Sequence, residues 1–98
     1  MNHVAFEWDD GKNTLNKRKH RISFEEALTV FADNDALLLP DPDHSTGEER
    51  FILMGFSASL RMLVVCHCYR RSGEVIRIIS ARKATKRERA DYTKRWTK

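Results

Sequence analysis

The chain has 98 residues, 41% hydrophobic and 33% charged, with a formal net charge of +4. These values describe one folded domain, residues 1–98, with a modest core, and they exclude a disordered chain. No apolar run approaches the roughly 20 residues that span a bilayer, and the N-terminus opens directly into a mixed polar strand. Neither a membrane segment nor a signal peptide is therefore expected, and the expected location is cytoplasmic.

Val4 to Trp8 reads as a short strand with Val4, Phe6 and Trp8 on one face. Asp9-Asp10-Gly11 offers an N-cap for a polar helix over about Lys12 to Lys19. Leu15 is its only apolar anchor, so most of this helix is expected at the surface. Asn13, Asn16, Lys17 and His20 line one polar stripe, either a solvated face or an edge that contacts phosphate. Ser23-Phe24-Glu25-Glu26 is a capping box. Phe24, Ala27, Leu28 and Phe31 follow at helical spacing and predict one apolar stripe laid on a core, ending near Asp33-Asn34.

Ala36 to Leu39 reads as a short strand stopped by Pro40 and Pro42, and Asp41 to Glu49 as a polar loop holding His44, Ser45, Glu48 and Glu49. Arg50 to Ser57, Arg61 to Arg70 and Glu74 to Ala81 are three strands joined by short turns at Ala58-Ser59 and Ser72-Gly73, hence an antiparallel meander. Thr85-Lys86-Arg87-Glu88 is a second capping box and opens a basic helix. Its apolar face is thin: Ala84, Tyr92 and Trp96. The predicted class is α+β, in the order β-α-α-β-β-β-β-α. It is a twisted, mainly antiparallel sheet with helices on one face and at least part of the other face available for binding.

Cys66 and Cys68 alternate along one strand, where they share a face and cannot readily bond to each other. Cys66-His67-Cys68 could suggest zinc, but His67 points away from both sulfurs on an extended strand, so buried apolar thiols are expected and no metal. Charge is unevenly spread. Residues 33–49 carry six acids and no Lys or Arg, whereas residues 82–98 carry eight basic residues and two acids. A basic second half beside an acidic middle points to a polyanionic partner, with a solvated basic face as the plainer alternative.

Arg77 stands out, because its strand is otherwise apolar: Val75, Ile76, Ile78 and Ile79 surround it. A charge there must reach water at a cleft or hold an anion. If Ser72-Gly73 forms a two-residue loop, Cys68 opposes Arg77, and Arg70 and Arg77 share a face as a repelling pair that needs a phosphate or a carboxylate between them. A three-residue loop would set His67 opposite Arg77 instead. On the repelling-pair reading, replacing Arg77 by Ala should leave stability equal or higher.

Four ordered segments, FEWDDGKNTLNKRKH with SFEEAL, DHSTGEERF and IRIISARKATKRERADY, resemble the BrnT toxins of bacterial type II toxin–antitoxin pairs over nearly the whole chain. Two positions depart from that pattern. Arg21 and Leu60 stand where glycine is usual, and both fall in turns. The resemblance implies a fold similar to the RelE ribonucleases and ribosome-independent RNA cleavage. It also implies neutralisation by a small DNA-binding, BrnA-like antitoxin protein. Such cleavage needs a base for the 2′-hydroxyl, an acid for the leaving oxygen, and cations for the phosphorane, without cofactor or metal. His44 and Glu49 suit the proton transfers, with Arg77 and Arg70 at the catalytic phosphate. Arg50, Arg82, Lys17 and Lys86 are the expected RNA contacts. The competing readings are a non-catalytic nucleic-acid binder and an interaction module whose basic strip receives an antitoxin; the sheet lacks the aromatic pairs of a base-stacking platform.

Overall fold

A computed structural model describes residues 4–94 of the chain. Trp96, expected on the last helix, lies outside the described residues. Five strands form one sheet: β1 (Ala5–Glu7), β2 (Leu37–Pro40), β3 (Phe51–Phe56), β4 (Met62–Arg70) and β5 (Val75–Lys83), in the spatial order β1-β5-β4-β3-β2. Only β1 and β5 run parallel; the other neighbours are antiparallel, so the predicted meander stands. Helices α1 (Asp10–His20) and α2 (Phe24–Leu28) follow β1, and α2 continues as a 3₁₀ turn over Thr29–Ala32. Helix α3 (Lys86–Lys94) ends the described chain.

Both predicted N-caps form, but only one of the two capping boxes closes. The Ser23 hydroxyl accepts the Glu26 N–H at 3.0 Å and starts α2. Glu26 does not return to close its box. Its carboxylate instead accepts the Ser57 hydroxyl at 2.7 Å and pairs with Arg61, which ties α2 to the β3–β4 turn. That guanidinium is also the main reason the Glu26 carboxyl sits below the usual carboxylate range. Thr85 and Glu88 make the full reciprocal box at the start of α3, with bonds of 2.8 and 3.1 Å.

Helix α1 corrects the sequence reading. Leu15 anchors nothing and is 63% exposed, while the polar stripe is the buried side: Asn13 is 6% and Asn16 7% exposed. An amide offers a donor and an acceptor at once, which suits it to unpaired backbone. Asn16 accepts the Ala81 N–H at 3.1 Å and donates to the Ala81 carbonyl at 2.8 Å and the Ile22 carbonyl at 2.9 Å. β1 pairs only with Val75–Arg77, so Asn16 serves as the missing strand partner further along β5. Asn13 accepts the Phe24 N–H and donates to Glu25. The helix is held by amide bonds and not by an apolar stripe.

The principal core lies on one sheet face. Ile22, Phe24, Ala27 and Val30 pack there on Leu53, Leu63, Val65, Ile78 and Ala81. A smaller cluster of Met54, Met62 and Val64 lies on the other face under Tyr92 of α3. The expectation of helices on one face therefore needs amending: α3 covers one end of the second face, because its single large apolar residue needs burial somewhere. The rest of that second face carries polar groups, Arg70 and Arg77 toward one end and Cys66, Ser80 and Arg82 nearer α3.

The β4–β5 register is the one that pairs Arg70 with Val75 and Cys68 with Arg77. His67 consequently faces the core and is fully buried. Its Nδ1 lies 3.1 Å from the Val65 carbonyl and its Nε2 3.2 Å from the Tyr69 hydroxyl, and burial pushes its pKa down. Between Cys66 and His67 the register slips, so that Cys66 pairs with Ser80 while His67 pairs with Ile78. This bulge reverses the alternation of β5. Arg77 and Arg82, which a regular strand would put on opposite faces, both lie on the second face.

Candidate functional site

A cleft of about 300 Å³ opens on that second face, lined by Asp41, His44, Arg50, Cys66, Ser80 and Arg82 over a floor of Ile52, Val64 and Ile79. Four elements converge there, with β4 contributing Val64 and Cys66. The acidic loop supplies Asp41 just before, and His44 at the end of, a 3₁₀ turn over Pro42–His44, β3 is preceded by Arg50, and β5 brings Ser80 and Arg82 past its bulge. A larger apolar groove of about 840 Å³ near Phe6, Phe31 and Phe56 offers Asp33 and no cation, which suits it poorly to an anion.

Arg50 forms no ion pair with a described residue, and its Nε atom is buried without a hydrogen-bond partner. A desolvated, unpaired guanidinium donor costs stability unless an anion meets it. His44 Nδ1 lies 2.9 and 3.0 Å from the two Asp41 carboxylate oxygens, and its side chain is 67% exposed. The loop that carries this pair is stitched by backbone bonds. Asp41 N–H donates to the Arg50 carbonyl at 2.9 Å, and the Ser45 hydroxyl donates to the Asp41 carbonyl while accepting the Arg50 N–H. Cys66 is half-buried at the cleft wall, and burial, followed by the Asp41 charge, pushes its thiol up. Cys68 is buried, with its thiol likewise raised by burial.

Arg82 carries the opposite arrangement. Both its terminal nitrogens bond Glu88 of α3, at 2.7 and 2.9 Å, in a two-pronged pair. That contact is the main cause of the Glu88 pKa being lowered to about 2. Arg77 and Arg70 share the second face as the register requires, but a carboxylate already stands between them. Glu7 Oε2 lies 2.9 Å from Arg77 Nη1 and 3.7 Å from Arg70 Nε, and Arg70 also reaches Glu48 at 3.4 Å. Of the two partners that the repelling pair required, the chain supplies the carboxylate itself.

The structure thus gathers His44, Arg50 and Arg82 in one cleft and sets Arg70 and Arg77 in a second cluster on the same face. Arg77 and Arg82 are roughly 15 Å apart along β5. Glu49 is exposed and does not line the cleft; Lys17, on α1, and Lys86, in the first turn of α3, are exposed and outside it as well. Asp41, Glu88 and Glu7 were not singled out by sequence reasoning. For Glu88 the signal was present in the capping box, and for Asp41 in its i, i+3 spacing to His44. Glu7 gave none, being 70 residues from Arg77 in the chain. Among the described residues no group of three His, Cys, Asp or Glu side chains could hold a metal ion, and no helix is long and apolar enough to cross a membrane.

Residues 8–88 match the family model described as ribonuclease toxin, BrnT, of type II toxin–antitoxin system. The crystal structure of the ribonuclease toxin BrnT from Brucella abortus is similar in fold, with a TM-score of 0.66 at 21% sequence identity, over 85% of this chain and 99% of that one. No curated protein matches. The family match covers both the Asp41–Arg50 loop and the Arg77–Glu88 segment that build the cleft. This chain belongs to the BrnT family of ribonuclease toxins of type II toxin–antitoxin systems.

Proposed function

We propose that this chain cleaves RNA by attack of a 2′-hydroxyl on its adjacent phosphate, without metal and without the ribosome, in the cleft between the Asp41–Arg50 loop and β5. The observation that carries this reading is the Arg50 guanidinium, its Nε buried without a hydrogen-bond partner, in one cleft with His44 and Arg82. His44 takes the proton from the 2′-oxygen, the O2′–P bond forms as the P–O5′ bond breaks, and the leaving 5′-oxygen takes a proton from water at the open mouth. Arg50 holds the charge that builds on the phosphorane oxygens, and it does so from a partly desolvated position where a guanidinium acts strongly. Arg82 joins it when the phosphate displaces Glu88. Arg70 and Arg77 bind a flanking phosphate, in exchange for Glu7. Lys17 and Lys86 lie outside the cleft and add only diffuse attraction for the polyanion. Glu49 was the second proton-transfer candidate; its position outside the cleft favours His44 alone. A small DNA-binding antitoxin protein neutralises the toxin by covering this face.

The test is the chemistry of the products. A defined RNA oligonucleotide incubated with the protein in excess chelator should yield ends bearing a cyclic phosphate and a 5′-hydroxyl, and Arg50→Met should reduce the rate at least 100-fold. Binding without new ends would favour the non-catalytic reading, and loss of cleavage in chelator restored by a divalent ion would refute the metal-free mechanism. The RNA affinity should fall steeply with salt; a salt-independent interaction would point to a protein-binding module instead.

A further inference from the structure

We propose that Asp41 is the positioning residue for His44, fixing the imidazole in the tautomer with its proton on Nδ1 so that Nε2 is the atom that receives the 2′-hydroxyl proton. The inference rests on the proposed cleavage reaction and adds a residue to it. An ionised carboxylate only accepts hydrogen bonds, so a ring nitrogen 2.9 and 3.0 Å from its two oxygens must carry the proton. Which ring nitrogen is protonated follows from the bond the other makes. Nδ1 is committed to Asp41, and Nε2 has no hydrogen-bond partner among the described residues.

This differs from an ordinary surface ion pair in how the carboxylate is held. Asp41 is 18% exposed against 67% for His44, so the acid is recessed into the cleft and the imidazole stands in front of it. The acid's backbone is fixed from both sides. Its N–H bonds the Arg50 carbonyl at 2.9 Å, and its carbonyl accepts the Ser45 hydroxyl at 2.7 Å and the His44 N–H at 3.2 Å. The anchor for His44 is thereby referenced to Arg50, the residue that grips the phosphate. The charged and titratable groups around the imidazole in the cleft are Asp41 from its own turn, Arg50 beside β3, Cys66 from β4 and Arg82 from β5. Of these only Asp41 bonds it. When the proton moves from O2′ to Nε2, the resulting imidazolium faces a fixed anion at Nδ1, while the electron pair released from O2′ forms the bond to phosphorus and the P–O5′ pair leaves with the 5′-oxygen. A carboxylate behind a base acts in this way by orientation and by stabilising the cation that forms, without taking the proton itself.

The experiment compares Asp41→Ala, Asp41→Asn, Asp41→Glu, His44→Ala and the double Asp41→Ala/His44→Ala on one RNA oligonucleotide, with ¹⁵N NMR of His44 at pH 8. The expected result is a 10²- to 10³-fold fall in kcat for Asp41→Ala with KM within about threefold, as for other general-base steps. The His44 proton should move from Nδ1 to Nε2 in that variant. Asp41→Glu should recover part of the rate, and the double variant should be no slower than His44→Ala alone. The melting temperature of Asp41→Ala should change little, because the loop bonds use its backbone. If that variant does not fold, Asp41→Asn keeps the volume and should still lose at least tenfold in kcat. An Asp41→Ala kcat within threefold of the parent, an unchanged tautomer, or losses that multiply in the double variant would overturn the inference while leaving the cleft reading intact. Full activity in His44→Ala would overturn both.

Discussion

The two-pronged contact between Arg82 and Glu88 sets a quantity that can be measured. Glu88→Gln keeps the capping box, since glutamine also accepts the Thr85 N–H, but removes the charge that faces Arg82. Lowering the Glu88 pKa from 4.5 to about 2 corresponds at face value to about 3 kcal/mol of favourable interaction. The Arg82 side chain is 43% exposed, so solvent screening leaves about 1–2 kcal/mol. Two outcomes follow from one substitution. Stability at pH 7 should fall by about 1 kcal/mol, read as a lower urea midpoint. RNA affinity should rise about 3- to 10-fold, and the slope of log K against log salt should steepen by about 0.7, because one more cation is released to phosphate. Filter binding to a single-stranded oligonucleotide at three salt concentrations gives both numbers. The contact also carries a pH signature. The depressed Glu88 pKa means its stabilisation is complete above about 4.5 and is lost as the pH falls toward 2. If Glu88→Gln weakens RNA binding, the carboxylate aims Arg82 at the phosphate and does not compete for it, and the displacement argument is wrong.

Four further outcomes are expected. Arg77→Ala should raise KM for RNA about 3- to 10-fold with kcat little changed, as loss of one flanking phosphate contact requires, and should cost up to about 1 kcal/mol of stability instead of adding any, since it breaks the Glu7 pair; a raised melting temperature would show that repulsion from Arg70 dominates after all. Asn16→Ala should cost about 3 kcal/mol in a urea titration, because the Ala81 N–H and the Ala81 and Ile22 carbonyls lose their partner; a loss below 1 kcal/mol would mean water replaces the amide. His67 is held below its ordinary pKa by burial, so the folded state binds fewer protons there than the unfolded one. Stability should therefore be complete above about pH 6.5 and decline as the pH falls below it, and that decline between pH 6.5 and 5 should disappear in His67→Leu; a slope that survives the substitution assigns the effect elsewhere. Leu60→Gly should raise the thermal midpoint by a degree or more, since Leu60 has φ 62° and is 81% exposed, so relief of backbone strain outweighs the loss of little packing; a lowered midpoint would contradict this.

Some of this protein was readable residue by residue. The Ser23 and Thr85 caps, the first turns of the core helix over Phe24–Leu28 and the three-strand meander depend on neighbours within a few positions, where spacing and side-chain type settle the local backbone; the tightening to a 3₁₀ turn over Thr29–Ala32, where the expected helix ran on toward Asp33-Asn34, did not show in that spacing. The two departures from the BrnT pattern, Arg21 and Leu60, fall at φ 61° and 62°, so the glycines usual there serve a left-handed turn. The Arg70–Val75 and Cys68–Arg77 pairs also followed from one of the two loop lengths considered.

What the chain alone did not determine depends on partners far apart in sequence. A polar stripe with Asn13 and Asn16 looks solvated until Ile22 and the open edge of β5 arrive to bond it. Arg77 looks unpaired until β1 adds Glu7 beside it. Above all, strand parity separates Arg77 from Arg82, and only the slip between Cys66 and His67 brings them to one face. A bulge adds one residue to one strand and nothing to its partner, so no periodicity in β5 announces it; it exists because two strands are paired. The sequence specified which charges this protein has, and the pairing of β4 with β5 decided which of them share a surface with His44.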